Sequence, residues 1–253
     1  MEEKEKLEQL IQWIRESRSA VFFGGAGMST ESGIPDFRSV DGLYHQQYKY
    51  PPETILSHSF FMRNPKEFYR FYRNKMLCPG AKPNPGHRAL ARLEQMGKLK
   101  AVITQNIDGL HQAAGSREVL ELHGSTLRNF CMRCGKAYST EEMLRCGEIP
   151  RCACGGIIKP DVVLYDEGLD EQVIGRVIAH IRRADLLIVG GTSLTVYPAA
   201  GFLDYFQGRH LVLMNRDETT RDGAADLIIR TPVGATLAEA VKQIDPAFMA
   251  DEI

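Results

Sequence analysis

Short apolar runs recur along this chain at Ala20–Phe23, Ala101–Thr104, Ala184–Val189, His210–Met214 and Leu227–Ile229, and the stretches between them keep a helical period. Runs of this length bounded by glycine and polar positions read as buried strands. Between them, Val173, Ile174, Val177, Ile178 and Ile181 share one helical face, and Gly97 closes GHRALARLEQMG as a C-cap. Strands alternating with helices leave one main solution, a doubly wound parallel sheet with helices on both faces. The expected fold class is therefore α/β with a Rossmann-like sheet. A chain of 253 residues with 43% hydrophobic content can fill one such core. Ligands of such sheets bind at the carboxyl ends of the strands. Here those ends carry Gly24-Gly25-Ala26-Gly27, Gln105-Asn106-Ile107-Asp108, Gly190-Gly191-Thr192-Ser193 and Asn215.

The first of these ends, VFFGGAGMSTESGIPDFR over residues 21–38, begins like a dinucleotide-binding loop. Glycines after a strand let backbone amides approach a pyrophosphate. The dehydrogenase fingerprint nevertheless fails. Thr30 stands at its third glycine, and Tyr44-His45-Gln46 stands where an acid would hold the ribose. In its place come Pro35-Asp36-Phe37-Arg38, an acid, a ring and a cation fixed behind a proline.

Charge and hydropathy exclude several classes of partner. A formal net charge of -1 lacks the basic footprint of a nucleic-acid or anionic-membrane binder. The opening MEEKEKLEQLIQWIRES places Leu7, Leu10, Ile11 and Ile14 at helical spacing among charges of both signs, which is an amphipathic helix and not a signal peptide. No run approaches the roughly 18 apolar residues of a membrane span. A cytoplasmic protein with reduced cysteines is expected.

Periodicity breaks between Ser125 and Lys159, where Cys131-x-x-Cys134-Gly135 and Cys152-Ala-Cys154-Gly155 lie 17 residues apart. That spacing is close to the paired-cysteine pattern of a tetrahedral zinc site. The second pair is one residue short, which leaves Cys146 as a substitute ligand. Buried or disulfide-bonded cysteine is the bland alternative. With no other donor evident, the metal reads as structural. A second irregular stretch, Ser39–Asn64, contains Pro51-Pro52 and five aromatic residues and is either a lid or a packed loop.

The polar residues after the strands each admit two readings. Asn106 and Asp108 in TQNIDGLHQAAG can bind a ribose, a water or a carboxamide, or can simply cap the following helix. His123 in LELHGS is a general-base candidate or a structural histidine. Gly191-Thr192-Ser193 is a phosphate nest or a turn with a hydroxyl cap.

Taken together and in order, GAGMSTESGIPDFR, TQNIDGLH, ELHGS, the two cysteine pairs, KPDVVLYDE, GGTSLTVYPA and MNRDET resemble the sirtuins, NAD-dependent protein-lysine deacylases. The likeness runs from about Ile11 to Ile244. It implies one catalytic domain over 1–253, with a large Rossmann-like part (about 1–38, 76–124 and 160–253), a zinc-ribbon module (about 125–159) and a helical cofactor or lid segment (about 39–75). It implies that Gly24, Ala26, Gly27, Ser29, Asp36, Phe37, Arg38, Gln105, Asn106, Ile107 and Asp108 surround NAD, with Gly191, Thr192, Ser193 and Asn215 on its phosphates and adenosine ribose. His123 and Asn106 would be catalytic, and Cys131, Cys134, Cys152 and Cys154 would hold zinc. An acetyl-lysine peptide would enter as a strand between Val163-Leu164-Tyr165 and the segment around Val196. The implied reaction yields free lysine, nicotinamide and O-acetyl-ADP-ribose. The form is that of a minimal, prokaryote-like, monomeric enzyme without nucleic-acid or membrane partners.

Two departures and two rivals accompany that reading. The family commonly has Phe-Gly-Glu where Tyr165-Asp166-Glu167 stands. Sirtuins that prefer acidic acyl groups carry Tyr-x-x-Arg, whereas this chain has Tyr69 with Tyr72 at the arginine's place. Tyr69 is therefore expected to face the acyl pocket and Arg73 to point away from it, which favours acetyl or another neutral acyl group. The rivals are a mono-ADP-ribosyltransferase and a zinc-ribbon binding module with a degenerate enzyme domain.

Overall fold

The computed structural model of the chain describes residues 2–36 and 49–248. Phe37 and Arg38 lie outside the described residues.

Strand β1 (Ala20–Gly24) is buried at every position because it is central to the main sheet and covered on both faces. On one side it pairs in parallel with β2 (Leu99–Thr104), which pairs with β3 (Val119–Glu121). The small sheet that follows in sequence consists of β4 (Gly124–Cys131), β5 (Ala137–Ser139) and β6 (Ile158–Val162), all antiparallel. The chain then returns to the other side of β1 with β7 (Leu186–Gly190), β8 (His210–Met214) and β9 (Leu227–Ile229). The resulting order β3-β2-β1-β7-β8-β9 reverses direction between β1 and β7. A crevice opens at such a reversal. The register sets Gly24 beside Thr104 on one side and beside Gly190 on the other, so the loops after three strands meet there.

Alternate residues along each strand feed opposite faces. Phe22, Val102, Ile188 and Val212 pack against α1 (Glu3–Glu16), α5 (Pro85–Gln95) and α9 (Val233–Ile244). Val21, Phe23, Ile103, Leu187 and Val189 pack against α8 (Glu171–Arg183) and the 3₁₀ segment Ala199–Tyr205. The sequence pattern locates five of these strands to within two residues. It passes over β3, whose three residues carry too little periodicity to register.

The two irregular stretches do not stand apart. Short helices α2 (Pro52–Ile55), α3 (His58–Arg63) and α4 (Pro65–Phe71) bury Ile55, Phe60, Phe61, Phe68 and Tyr69 in one cluster with Cys131, Met143, Cys152, Ile158 and Leu164. Helix α7 (Thr140–Arg145) contributes Met143 to it. The aromatic segment and the cysteine module thus share a core, in which Phe61 meets the Phe68 ring edge-on at 4.8 Å. Phe61 is fully buried. Phe61→Ala is expected to cost about 3–5 kcal/mol of stability through lost burial and a cavity, measured by urea denaturation. A cost under about 1 kcal/mol, the size of an ordinary surface change, would contradict the shared core.

Candidate active site

The carboxyl ends of β1, β2, β7 and β8 open into a cavity of about 860 Å³. Its floor is made by two glycine loops lying backbone against backbone. Gly25 N–H donates to Gly190 O (3.1 Å) and Gly27 N–H to Gly191 O (2.8 Å). Gly191 is left-handed, with φ +63°, and a Cβ on it would come within 2.4 Å of the Met28 nitrogen. These glycines therefore bring the two loops into contact, and the amides of Gly25 and Gly27 are spent on that contact, not left free for phosphate. Gly24 lies deeper than expected. A Cβ there would strike the Phe22 ring at 2.5 Å, and Gly25 lines the cavity in its place.

Ala26, Gly27, Ser29 and Asp36 line the cavity from the β1 side, and Gln105, Asn106, Ile107 and Asp108 from the end of β2. Three of these form a short chain. Asn106 Nδ2 donates to Ser29 Oγ (2.9 Å), which donates to Asp108 Oδ2 (2.6 Å). The other Asp108 oxygen accepts from Leu110 N–H (2.9 Å), the first amide of α6 (Leu110–Ala113), whose N-cap position is Gly109. The two Asp108 oxygens thus serve different partners, Ser29 and the helix amide, whereas the Asn106 amide serves the chain to Ser29. Gln105 Nε2 donates to Thr192 Oγ1 (3.0 Å) and ties the β2 loop to the β7 loop.

His123 follows β3 and lines the same cavity. Its Nδ1–H donates to Gln105 O (3.0 Å), which leaves Nε2 as the acceptor when the ring is neutral. Burial lowers its pKa below the ordinary histidine value, and the bond to Gln105 opposes that only in part. Gly191, Thr192, Ser193 and Asn215 line the β7–β8 end.

Two anchors of this floor carry no sequence signature. Glu31 accepts from Gly234 N–H (2.7 Å) and Ala235 N–H (3.0 Å), binding the glycine loop to the first turn of α9. Arg230 donates to Asn215 O (3.0 Å) and Asp217 O (2.8 Å) and also pairs with Asp222. Each is a single charged residue with no recurring partner spacing, so only the fold reveals it. Cys78 also lines the cavity, and burial raises its pKa, as does Asp108.

Val163, Leu164, Tyr165 and Val196 line the cavity where a peptide strand was expected. Val163 N–H donates to His123 O (3.0 Å), which couples this segment to the histidine. Tyr69 is a correction. It does not line the cavity but is fully buried in the aromatic core, with its hydroxyl donating to Ile158 O. Arg73 is a second correction, because it does line the cavity and its guanidinium lies 5.9 Å from the Tyr69 ring centre. Residues four apart share a helical face, and Arg73 starts inside the wider π turn Tyr72–Met76 that follows α4. Its head group donates to Gly147 O.

In the small sheet, Cys131, Cys134, Cys152 and Cys154 place their sulfurs within 4.8 Å of one another. The Cys131–Cys154 and Cys134–Cys152 sulfur separations are 3.5 and 3.7 Å. Zinc bound tetrahedrally at about 2.3 Å to each sulfur requires edges of about 3.8 Å, so the four thiols fit that ion. Cys146 ends α7 with its thiol on Glu142 O and is not in the group.

The sequence profile of the Sir2 family matches residues 25–198. A relative from Cutibacterium acnes, named NAD-dependent protein deacetylase, is 55% identical over 94% of this chain and 99% of its own. A solved structure of Sir2 with a p53 peptide and NAD+ is similar at TM-score 0.85 and 39% identity, covering 96% of this chain and 99% of that one. Another, of a Sir2 variant with deacetylated p53 peptide and 3'-O-acetyl ADP ribose, reaches TM-score 0.87 at 39% identity over 94% and 98%.

One zinc per chain is expected on elemental analysis. Cys146→Ser should retain it and Cys134→Ser should lose it, with the module unfolding because metal binding contributes to its stability. The reverse pattern would overturn the ligand set.

Proposed function

Because the chain belongs to the Sir2 family, we propose that it is an NAD-dependent protein deacetylase that moves the acetyl group of acetyl-lysine to ADP-ribose and releases nicotinamide. The observation that carries this is the Asn106–Ser29–Asp108 chain on the same cavity wall as His123. The names of the relatives and the peptide-bound Sir2 structures support it.

NAD, when bound, supplies an anomeric carbon that the acetyl-lysine carbonyl oxygen can attack as nicotinamide leaves. Every other part of the reaction falls to side chains. Asp108, held by Ser29 and by the α6 amide, presents a fixed carboxylate to the nicotinamide carboxamide. Asn106 and Gln105 hold the ribose, and Asn106 also orients a water. Gly191, Thr192, Ser193 and Asn215 take the phosphates and adenosine ribose, with Arg230 fixing the loop that carries Asn215. His123 takes a proton at Nε2 from a ribose hydroxyl, while Gln105 O keeps the ring turned by holding Nδ1–H. A simple ADP-ribosyl transfer needs no such base, so an aimed and neutral His123 favours deacetylation.

Zinc in the four-cysteine site would be structural, since all four donors are protein thiols and no position is left open. The substrate is an acetyl-lysine protein segment laid beside Val163–Tyr165 and Val196. Among the described residues no helix is long and apolar enough to cross a membrane. The six cysteines are unpaired, the state a reducing compartment such as the cytoplasm maintains.

His123→Ala should keep NAD binding and lose deacetylation by roughly 10²- to 10⁴-fold, and an unchanged rate would refute the assignment. In the parent, kcat/KM should fall on the acid side only below the ordinary histidine range of about 6.5, because the lowered pKa keeps His123 neutral until then. An acid limb above that value would contradict a desolvated base. With Tyr69 and Tyr72 buried in the aromatic core and the Arg73 head group donating to Gly147 O, no tyrosine–arginine pair is offered to the acyl group among the described residues. Acetyl peptide should exceed succinyl peptide in kcat/KM by at least tenfold, since an unpaired buried carboxylate costs several kcal/mol. A succinyl preference would show that Arg73 leaves Gly147 for substrate.

A further inference from the structure

The segment Leu164–Glu167 is a tight turn held from both ends. Glu167 N–H donates to Leu164 O (3.0 Å), and Leu164 N–H donates to Glu167 Oε2 (2.8 Å). The Glu167 carboxylate is matched in charge by Lys159, which is 5% exposed and reaches Oε2 at 3.0 Å, and it also accepts from His58 Nδ1 (2.7 Å). Outside the turn, Tyr165 N–H donates to Leu56 O (3.0 Å) and His58 N–H to Tyr165 O (2.8 Å). The turn therefore has little freedom.

Within it Asp166 sits at φ +73°, in the left-handed region that glycine, asparagine and aspartate adopt most readily. Its side chain is exposed, lines the cavity and has no ion-pair partner among the described residues. The two stretches assigned to the peptide, Val162–Gly168 and Thr195–Pro198, contain only two formal charges, Asp166 and Glu167. Glu167 is answered by Lys159. The cavity-lining cations Arg73, Lys75 and Arg216 belong to other segments. Among the described residues, Asp166 is thus the charge on the walls assigned to the peptide that no ion pair answers.

We propose that Asp166 is a specificity-determining residue that favours acetyl-lysine peptides carrying a lysine or arginine side chain beside the acetyl-lysine. The inference rests on the deacetylase reading of the cleft. A charge pair at this exposed rim is worth about two- to fivefold in affinity and is screened by salt.

The test uses two acetyl-lysine peptides that differ only in arginine or glutamate at one flanking position. Binding is read by fluorescence anisotropy and turnover by kcat/KM, for the parent, Asp166→Asn and Asp166→Gly. Both replacements suit the left-handed backbone, so loss of folding does not confuse the comparison. The parent is expected to favour the arginine peptide about two- to fivefold at about 0.05 M salt, with the ratio falling toward one at about 0.5 M and in both variants. KM for NAD should not change. Equal binding of the two peptides by the parent, or an undiminished preference in Asp166→Asn, overturns the proposal. A charge preference in binding without any turnover would leave this inference standing and sink the deacetylase reading instead.

Discussion

The contact on which the site depends is a backbone one. Gly27 N–H bonded to Gly191 O, with Gly25 bonded to Gly190 beside it, holds together the loops that follow the two strands at the reversal of the sheet. A side chain on Gly27 would come within 2.7 Å of Gly191 Cα, so no larger residue lets the loops close. Once they close, the rest of the floor has fixed neighbours. Thr192 receives Gln105, Ser29 stands between Asn106 and Asp108, and Glu31 ties the first loop to α9. The polar chain is therefore set by sheet topology and two glycine loops, not by the flexible choice of side-chain rotamers.

The cavity wall that carries His123 and the wall we propose for the peptide are linked by a backbone bond from Val163 to the His123 carbonyl. Val163 follows β6, and β6 belongs to the sheet that carries the cysteines. The zinc module and the aromatic helices share a core with Leu164. A structural metal can thus matter for substrate alignment without touching substrate, because it stabilises the sheet from which the peptide wall extends. This arrangement accounts for Tyr69, whose position in sequence suggested the acyl pocket and whose burial serves the shared core.

Much of this was legible because the informative residues sit at strand ends. The apolar runs located five strands, and Asn106, Asp108, Thr192 and Asn215 come just after three of them and line the cavity, so reading the residues after each run pointed to them. The cysteine spacing marked the cluster but left Cys146 as a substitute ligand, and only the folded geometry groups Cys131, Cys134, Cys152 and Cys154 without it. What stayed hidden depends on contacts distant in sequence. Glu31 reaches α9 across some two hundred residues, Arg230 acts through carbonyls, and Arg73 turns on where a helix widens. The glycines were visible but misread in part. Their small size serves loop-to-loop contact, and an amide's availability to phosphate cannot be inferred before its partner is known.

Identification of the products is the most direct test of the account. Incubated with NAD and an acetyl-lysine peptide and followed by mass spectrometry, the protein should yield deacetylated peptide, nicotinamide and O-acetyl-ADP-ribose in equal amounts. Release of nicotinamide with ADP-ribose attached to protein or peptide, and the acetyl group left on lysine, would contradict it.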